Sequence, residues 1–523
     1  MRFRLAVVGL TLGVAITPGI AKPKELSLRR VDLDLPGPPS LILPVDVDGD
    51  GRKDLLVVTA YTQWGSIAQD RVESAVAVTE VVPALFEERK ILPFLARTDG
   101  TYRQGPPFDM PPTWIALAAG SGPHVAVALT DDGLEALDGA SDGTLSSTRL
   151  IDEPSAFEGA RAFLSQLDFL EDVDGDGVPD AVVPARDGIA IHRGTREGSF
   201  EAKASTRLRL PEDVVVRGRR SVPVVKFLDV DGDGKLDLVS DGLDGWPGQI
   251  SVARGEGGAR FAAPRTVSVG CLSDKDRRVA WFGGLARGAR PSFVTRQQLE
   301  TGKSDRKEAM KPQMRYGVHP IGADLAVPTS PKTTFDAEGY AFTGAFEDGI
   351  DLEFIDLDGD GRRDLVTVTV DVSMFQVLRA LTSKKIGIGL DFRVYAQDAD
   401  GAFHLVPDQV LHEKLNLDLN RFEISRLGQF QGDFDGDGRI DFVHLGKGKT
   451  ITIHRGEPGG RYPEKPDLAI ELAEEPEDVL LVRVRDFDGD GRSDIAVTRT
   501  LAPTEAGASA RAKIELYLSG ASR

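Results

Sequence analysis

Six stretches of this 523-residue sequence place aspartates at alternate positions, close the run with a glycine, and add another aspartate three residues later. The first is Asp46-Val47-Asp48-Gly49-Asp50-Gly51-Arg52-Lys53-Asp54, and the others start at Asp172, Asp229, Asp356, Asp433 and Asp486. Four carboxylates crowded into one loop repel each other unless a cation lies among them. A hard cation that takes six to eight oxygens suits this donor set: carboxylates from positions 1, 3, 5 and 9, the backbone carbonyl of position 7, and a glycine at position 6 for the sharp turn. The candidate ligands are therefore Asp46, Asp48, Asp50, Arg52 and Asp54; Asp172, Asp174, Asp176, Val178 and Asp180; Asp229, Asp231, Asp233, Lys235 and Asp237; Asp356, Asp358, Asp360, Arg362 and Asp364; Asp433, Asp435, Asp437, Arg439 and Asp441; and Asp486, Asp488, Asp490, Arg492 and Asp494. The expected cofactor is Ca2+, about six ions, since magnesium prefers fewer protein ligands and stricter octahedral geometry. A helix-flanked EF-hand would carry Glu at position 12, where these loops have Val57, Val183, Ser240, Thr367, His444 and Val497.

Something must position these loops, and the flanking residues say what. Apolar or alternating runs precede the motifs, as in Leu41-Ile42-Leu43 and Val224-Val225-Lys226-Phe227-Leu228, and β-branched runs follow them, as in Leu55-Leu56-Val57-Val58 and Leu365-Val366-Thr367-Val368. Such segments are short buried strands, so each motif joins the two strands of a hairpin. Position 2 is apolar in every copy (Val47, Val173, Val230, Leu357, Phe434, Phe487) and can turn into the core. Further on, a strand, a glycine turn and an aromatic recur: Ile189 to Gly194 then Phe200, Ile250 to Gly255 then Phe261, Ile451 to Gly456 then Tyr462. Four strands per unit describe a propeller blade.

The motif spacings are 126, 57, 127, 77 and 53 residues. Two gaps are about double the rest, so each should hide a degenerate unit. Ile115 to Ala126 and Phe282 to Val294 align without gaps on the unit of Asp356, with the motif start at Ala116 and at Gly284 and every liganding Asp lost. The fold expected is therefore all-β: a single propeller over 22–523, built of four-stranded antiparallel blades, eight by this count with seven as the alternative. The alternating strand Leu26 to Leu33 has no partner in its own unit, and the last unit ends with Lys513 to Leu518 as a third strand. Pairing the two would close the ring and leave no open edge. Insertions are expected at about 64–96, 296–350 and 371–430, the second with a lysine-rich loop from Gln297 to Lys311, the third with helices at Met374 to Leu381 and Asp408 to Leu415.

Residues 1–21 read as a signal peptide: Arg2 and Arg4, an apolar run from Leu5 to Ile20, and small residues before a cut ahead of Lys22. A secreted or periplasmic, cell-envelope location follows, and no later run is long and apolar enough to span a membrane. Cys271 is the sole cysteine, so no intramolecular disulfide can form, and it reads as a small core residue. The formal net charge of −19 sits largely in the six motifs, and six divalent cations would offset more than half of it. Acidity of this kind argues against a nucleic-acid partner.

The six Asp loops and their strand flanks resemble the FG-GAP/VCBS repeat proteins, whose repeat is similar to the calcium-bearing blades of integrin α-subunit propellers. The lead-in Gln431-Gly432-Asp433-Phe434-Asp435 has the typical Gly-Asp form. The resemblance implies a β-propeller with calcium in hairpin loops on one face. It reaches adhesion proteins, lectin-like proteins and accessory domains of enzymes alike, so it implies no single activity. The chain departs from it in two acid-free units and three insertions.

The histidines (His124, His192, His319, His404, His412, His444, His454) form no pair with metal-ligand spacing, and no Gly-x-Ser-x-Gly elbow, phosphate loop or Cys/His pair occurs. His192 and His454 fall at equivalent places in their units, as structural residues would. The expected function is a monomeric, exported, calcium-binding module for a protein or glycan partner. The alternatives are a carbohydrate-active lyase or hydrolase on the same scaffold, and a purely structural envelope protein.

Overall fold

The structure is a computed structural model that describes residues 26–61, 88–157, 163–165, 167–186, 188–209, 225–241, 248–273, 276–299, 311–341, 354–371, 385–418, 423–424, 428–445, 449–476, 482–501 and 511–521. Each metal-type motif joins two antiparallel strands, as the residues on either side dictate. The last residue before the loop pairs with the Asp of position 9 where the ladder reaches that far: Val45 with Asp54, Glu171 with Asp180, Leu228 with Asp237, Ile355 with Asp364, Arg485 with Asp494.

Eight antiparallel sheets follow along the chain, and together they make an eight-bladed β-propeller. Blade 1 consists of Pro39–Val45, Asp54–Tyr61, Glu88–Ala96 and Tyr102–Gln104. Blades 2 and 3 run from Trp114–Ala119 to Leu145–Asp152 and from Leu170–Glu171 to Thr206–Leu208. Blades 4 and 5 run from Val225–Leu228 to Arg265–Ser268 and from Arg278–Gly283 to Thr333–Glu338. Blade 6 is built on Phe354–Ile355, Asp364–Asp371, Lys385–Tyr395 and Gln409–Asp418, with short strands added at Tyr340–Ala341 and Glu423–Ile424. Blade 7 runs from Gly428–Phe430 to Leu468–Glu471. The core lies between blades: Val173 and Val182 of blade 3 pack with Phe227, Leu238 and Phe261 of blade 4. The position-2 side chains all point into it, none more than 2% exposed.

Blade 8 takes strands from both ends of the chain. Val482–Arg485, Asp494–Leu501 and Arg511–Ala521 supply three, and Leu26–Leu35 is the fourth. The closing ladder runs unbroken from Leu26 opposite Ala521 to Leu35 opposite Ala512. A buried carboxylate fastens it. Glu515 accepts from Arg30 of the N-terminal strand at 3.1 Å, from Arg499 of the neighbouring strand at 3.1 Å, and from the Tyr517 hydroxyl at 3.4 Å. Arg499 also donates to the carbonyls of Glu474 and Glu475, so the seam is tied to the segment that enters the blade.

In seven of the blades the third and fourth strands meet in the same turn, in which an amide bonds the carbonyl four residues on: Arg97 to Thr101, Ala140 to Thr144, Thr195 to Ser199, Glu256 to Arg260, Gly322 to Ala326, Asp398 to Ala402 and Glu457 to Arg461. Blade 8 has no such turn because its third and fourth strands belong to opposite ends of the chain.

Three expectations change. The helix expected over Asp408 to Leu415 is the strand Gln409–Asp418, paired residue for residue with Lys385–Tyr395. Its exposure alternates, Leu411 and Glu413 half-buried against exposed His412 and Lys414, so pairing overrides the helix formers in this stretch. The expected insertions shrink, because Glu88–Ala96, Gln313–Pro320, Thr333–Glu338 and both long strands of blade 6 are blade strands; Met374 to Leu381 and most of Gln297 to Lys311 lie outside the described residues, as do residues 1–21. The degenerate unit of blade 5 does begin its loop at Gly284, with Gly283 opposite Ser292. In blade 2, however, Ala116 lies inside a strand, and the hairpin turns at 120–125, between paired Ala119 and Ala126. That loop is two residues shorter than the acidic ones, as a turn freed from wrapping a cation can be.

Candidate metal centres

Each acidic loop is a cradle built by its own aspartates. The position-1 carboxylate accepts the position-6 amide in all six loops, at 2.7–3.0 Å. The position-5 carboxylate accepts the amide of position 7, at 2.8–3.0 Å from Arg52, Val178, Lys235, Arg362, Arg439 and Arg492. Glycines at positions 4 and 6 both adopt positive φ, for example 76° at Gly49 and 87° at Gly51, which is why the loop reads Asp-Gly-Asp-Gly. The result is convergence. One carboxylate oxygen from each of Asp46, Asp48 and Asp50 lies within 4.8 Å of the others, and the same holds for Asp172, Asp174 and Asp180, for Asp229, Asp231 and Asp237, for Asp356, Asp358 and Asp360, and for Asp433, Asp435 and Asp437. The sixth loop, Asp486 to Asp494, repeats the same hydrogen bonds.

The position-9 aspartates have a second task that the motif did not reveal. All six (Asp54, Asp180, Asp237, Asp364, Asp441, Asp494) are at most 3% exposed. One oxygen accepts the amide of position 2 at 2.8–3.1 Å. The other reaches the third strand and accepts from Ala96, Gly194, Gly255, Gln397, Gly456 or Ser519 at 2.6–2.9 Å. At Gly194, Gly255 and Gly456 the third strand passes so close to the loop that a Cβ would collide with the carbonyl of Pro179, Leu236 or Ile440. The Arg-Gly dipeptide shared by these three strands was the available signal. Its arginines stand against position 3: Arg193 is 3.0 Å from Asp174, Arg254 3.0 Å from Asp231, and Arg455 3.3 Å from Asp435.

Do these residues fit a cation? The donors are hard oxygens only, five groups in each loop, which a bidentate carboxylate or a water would bring to the six to eight oxygens calcium takes. Asp356 Oδ1 and Asp435 Oδ1 are shut off from solvent and accept no hydrogen bond. A buried acceptor without a donor is costly, and a cation among the carboxylates would satisfy it. The fit is good.

Burial sets a pH dependence. Desolvation, with the neighbouring carboxylates adding to it, pushes Asp364, Asp441 and Asp494 up to about 7 and Asp180 up to about 6, from an ordinary 3.8. Between these limits the folded chain holds protons that the unfolded chain has released, so stability falls as pH rises. The chelated protein should therefore melt at a higher temperature at pH 5 than at pH 7.5, by several degrees. Saturating calcium, which needs the carboxylates ionised, should abolish or invert that order. Thermal melts in EDTA that rise steadily from pH 5 to pH 7.5 would contradict this account of the position-9 residues.

Blade 5 fills its loop differently. Gly284, Ala286, Gly288 and Ser292 stand where the acids would be, and arginines at positions 4 and 7 reach the neighbouring loops: Arg290 donates to the carbonyl of Val230 in the loop of blade 4 at 3.1 Å, and the Arg287 amide donates to the carbonyl of Gly361 in the loop of blade 6 at 2.6 Å.

The histidines are engaged elsewhere. His192, His319 and His454 sit at the ends of third strands, each donating from Nδ1 to the carbonyl nine residues on, Glu201, Pro328 or Pro463, at 2.8–3.0 Å. His192 also meets the buried Glu153, which pairs with Arg207. His124 bonds Asp138 and His412 bonds Asp391, while His444 pairs with Glu413 across the junction of blades 6 and 7. His404 lies near Asp398 and Asp408 on an exposed turn. Cys271 is fully buried, as a core residue would be. At the closing seam a cleft of about 340 Å³ opens between the outer strand of blade 8 and blade 1, with Leu35 and Leu92 in its lining and Asp34, Lys90, Gln104 and Arg511 beside them.

The comparison with protein families agrees with this architecture. The FG-GAP-like repeat model matches residues 172–240 and 433–497, the hairpins of blades 3, 4, 7 and 8. No curated protein matches the chain. Among solved structures, a lectin of Agrocybe aegerita that recognises non-reducing terminal N-acetylglucosamine is similar at 16% identity and a TM-score of 0.37, over 75% of this chain and 88% of that one. A protein from Lactobacillus plantarum is similar at 12% identity and a TM-score of 0.30, over 71% and 88%. A hypothetical selenium-binding protein from Sulfolobus tokodaii is similar at 10% identity and a TM-score of 0.32, over 87% and 92%. Likenesses this low carry no argument about function.

Proposed function

From an eight-bladed propeller that carries FG-GAP-like repeats, we propose an exported, calcium-binding scaffold that presents its ring surfaces to a protein or glycan partner. The observation that carries this reading is the shared cradle: six loops with converging carboxylates and, in two of them, a buried oxygen without a donor. In each loop the carboxylates of positions 1, 3, 5 and 9, with the position-7 carbonyl, would hold one Ca2+. The ion supplies charge neutralisation and fixes the hairpin; its role is structural. The histidines do not converge on a common centre, which favours binding over catalysis. Among the described residues no helix is long and apolar enough to cross a membrane, and export rests on the signal-like residues 1–21.

The cleft beside Arg511 and Lys90 offers a partner both cationic and carboxylate groups beside Leu35 and Leu92. A glycan array and a pull-down from the source cell envelope, each run in calcium and in EDTA, test the reading. The expected result is a bound glycan or protein that is lost on chelation. Turnover of a polysaccharide by the purified chain would instead favour the enzymatic alternative.

A further inference from the structure

The acidic loops do not stand apart. From blade 4 to blade 8 the hairpin loop of each blade is hydrogen-bonded to that of the next. Ser493, at position 8 of the blade 8 loop, donates its amide to the carbonyl of Asp433 at 2.7 Å and accepts the Asp433 amide on its hydroxyl at 2.9 Å. Asp433 is position 1 of the blade 7 loop, so a candidate ligand of one site has its backbone held by the neighbouring site. The pattern repeats one blade back. The Ile440 amide, at position 8 of the blade 7 loop, donates to the carbonyl of Leu357 at 2.8 Å. Gly459, in the turn after the third strand of blade 7, donates to Oδ2 of Asp358 at 2.7 Å, and Asp358 is position 3 of the blade 6 site. The packing is equally close: a Cβ on Gly359 would collide with the carbonyl of Gly438, and one on Gly436 would touch the Arg492 side chain.

Blade 5 continues the belt without acids, through Arg363 to Leu285 at 3.0 Å, Arg287 to Gly361, and Arg290 to Val230. Blade 3 lies outside it. Among the described residues, the hydrogen bonds of the loop from Asp172 to Asp180 stay within its own blade.

We propose that the cation sites of blades 6, 7 and 8 bind as one coupled unit, each blade ordering the loop of the blade before it, while the blade 3 site binds independently. The proposal rests on the calcium reading. A cation in the blade 8 loop fixes the segment that carries Ser493, and Ser493 then holds Asp433 in the place its own site requires. Ordering done by the first ion need not be done by the second, which is positive coupling without a change of fold. Loss of one half-buried hydrogen bond of this kind weakens binding by roughly fivefold.

Hydrogen exchange of the full chain, read by mass spectrometry loop by loop during a titration with Ca2+, tests this. In the native chain, protection of 356–364, 433–441 and 486–494 should rise together and steeply, and that of 172–180 should follow its own midpoint. Asp486→Asn should raise the calcium midpoint of 433–441 by roughly fivefold or more and leave 172–180 unmoved, which also shows that the variant is folded. Ser493→Ala, which removes no candidate ligand, should raise the 433–441 midpoint while 486–494 still saturates. Asp172→Asn should leave the 433–441 midpoint unchanged. Midpoints of 433–441 that stay put in both Asp486→Asn and Ser493→Ala would overturn the coupling and leave calcium binding intact. If no loop of the native chain gains protection with calcium, the calcium reading falls, and the coupling with it.

Discussion

Removing calcium from the purified protein should lower its melting temperature by on the order of 20 °C. An ion that binds only the folded chain adds about 4 kcal/mol per site at a thousandfold excess over its dissociation constant. Six such sites would add about 25 kcal/mol, set against an unfolding entropy of about 1 kcal/mol/K for a chain of 523 residues. The effect is large because the apo loops are unfavourable as well as empty of stabilising charge. Three carboxylates converge in the loops, position 9 is buried in all six, and Asp356 and Asp435 each leave an oxygen without a donor. The melt is to be recorded in excess EDTA and in millimolar calcium, with elemental analysis of protein purified without chelator. Identical melts together with a metal-free preparation would sink the calcium assignment.

Deleting residues 26–35 should have the second large effect. That strand supplies the outer edge of blade 8 and buries Leu26, Leu33 and Leu35. Three buried leucines alone are worth about 5–8 kcal/mol, which is comparable to the whole stability of an ordinary domain. The deletion also strips Glu515 of Arg30 and leaves Arg511–Ala521 as a bare edge, a template for pairing with another chain. The truncated chain should aggregate, or melt without a cooperative transition. Supplying the strand in trans as a peptide of residues 26–35, or moving it by circular permutation to follow Ala521, should restore the melt. A truncated chain that stays monomeric and melts where the parent does would show that the ring needs no closing strand.

These expectations draw on features of different legibility. The closing strand could be read in advance because Leu26 to Leu33 alternates and lacks a partner in its own unit. The degenerate loop of blade 5 could be placed at Gly284 because it kept the length of its relatives. That of blade 2 was displaced by four residues, since a hairpin that holds no cation is free to shorten and a gapless alignment cannot follow it. The strand Gln409–Asp418 was misread as a helix because Leu, Glu and Lys at this spacing satisfy a helical pattern, and only the partner strand Lys385–Tyr395 decides the matter.

The sequence by itself determined the repeat unit, the closing strands and the cradle, and narrowed the blade count to eight or seven. Aspartate spacing, glycine placement and two-residue alternation are local, so each leaves a trace within nine or ten residues. Only the tertiary structure decided what holds each cradle and what each cradle touches. The clamp from Asp494 to the Ser519 amide joins residues 25 apart, and the bond from Gly459 to Asp358 joins residues 101 apart. In both bonds the carboxylate accepts from a backbone amide, which nearly every residue carries, so the residue type of the donor does not mark the partner. They arise because eight blades around one axis bring neighbouring loops into contact, and that crowding links the motifs of blades 4, 6, 7 and 8 into an arc and leaves that of blade 3 apart.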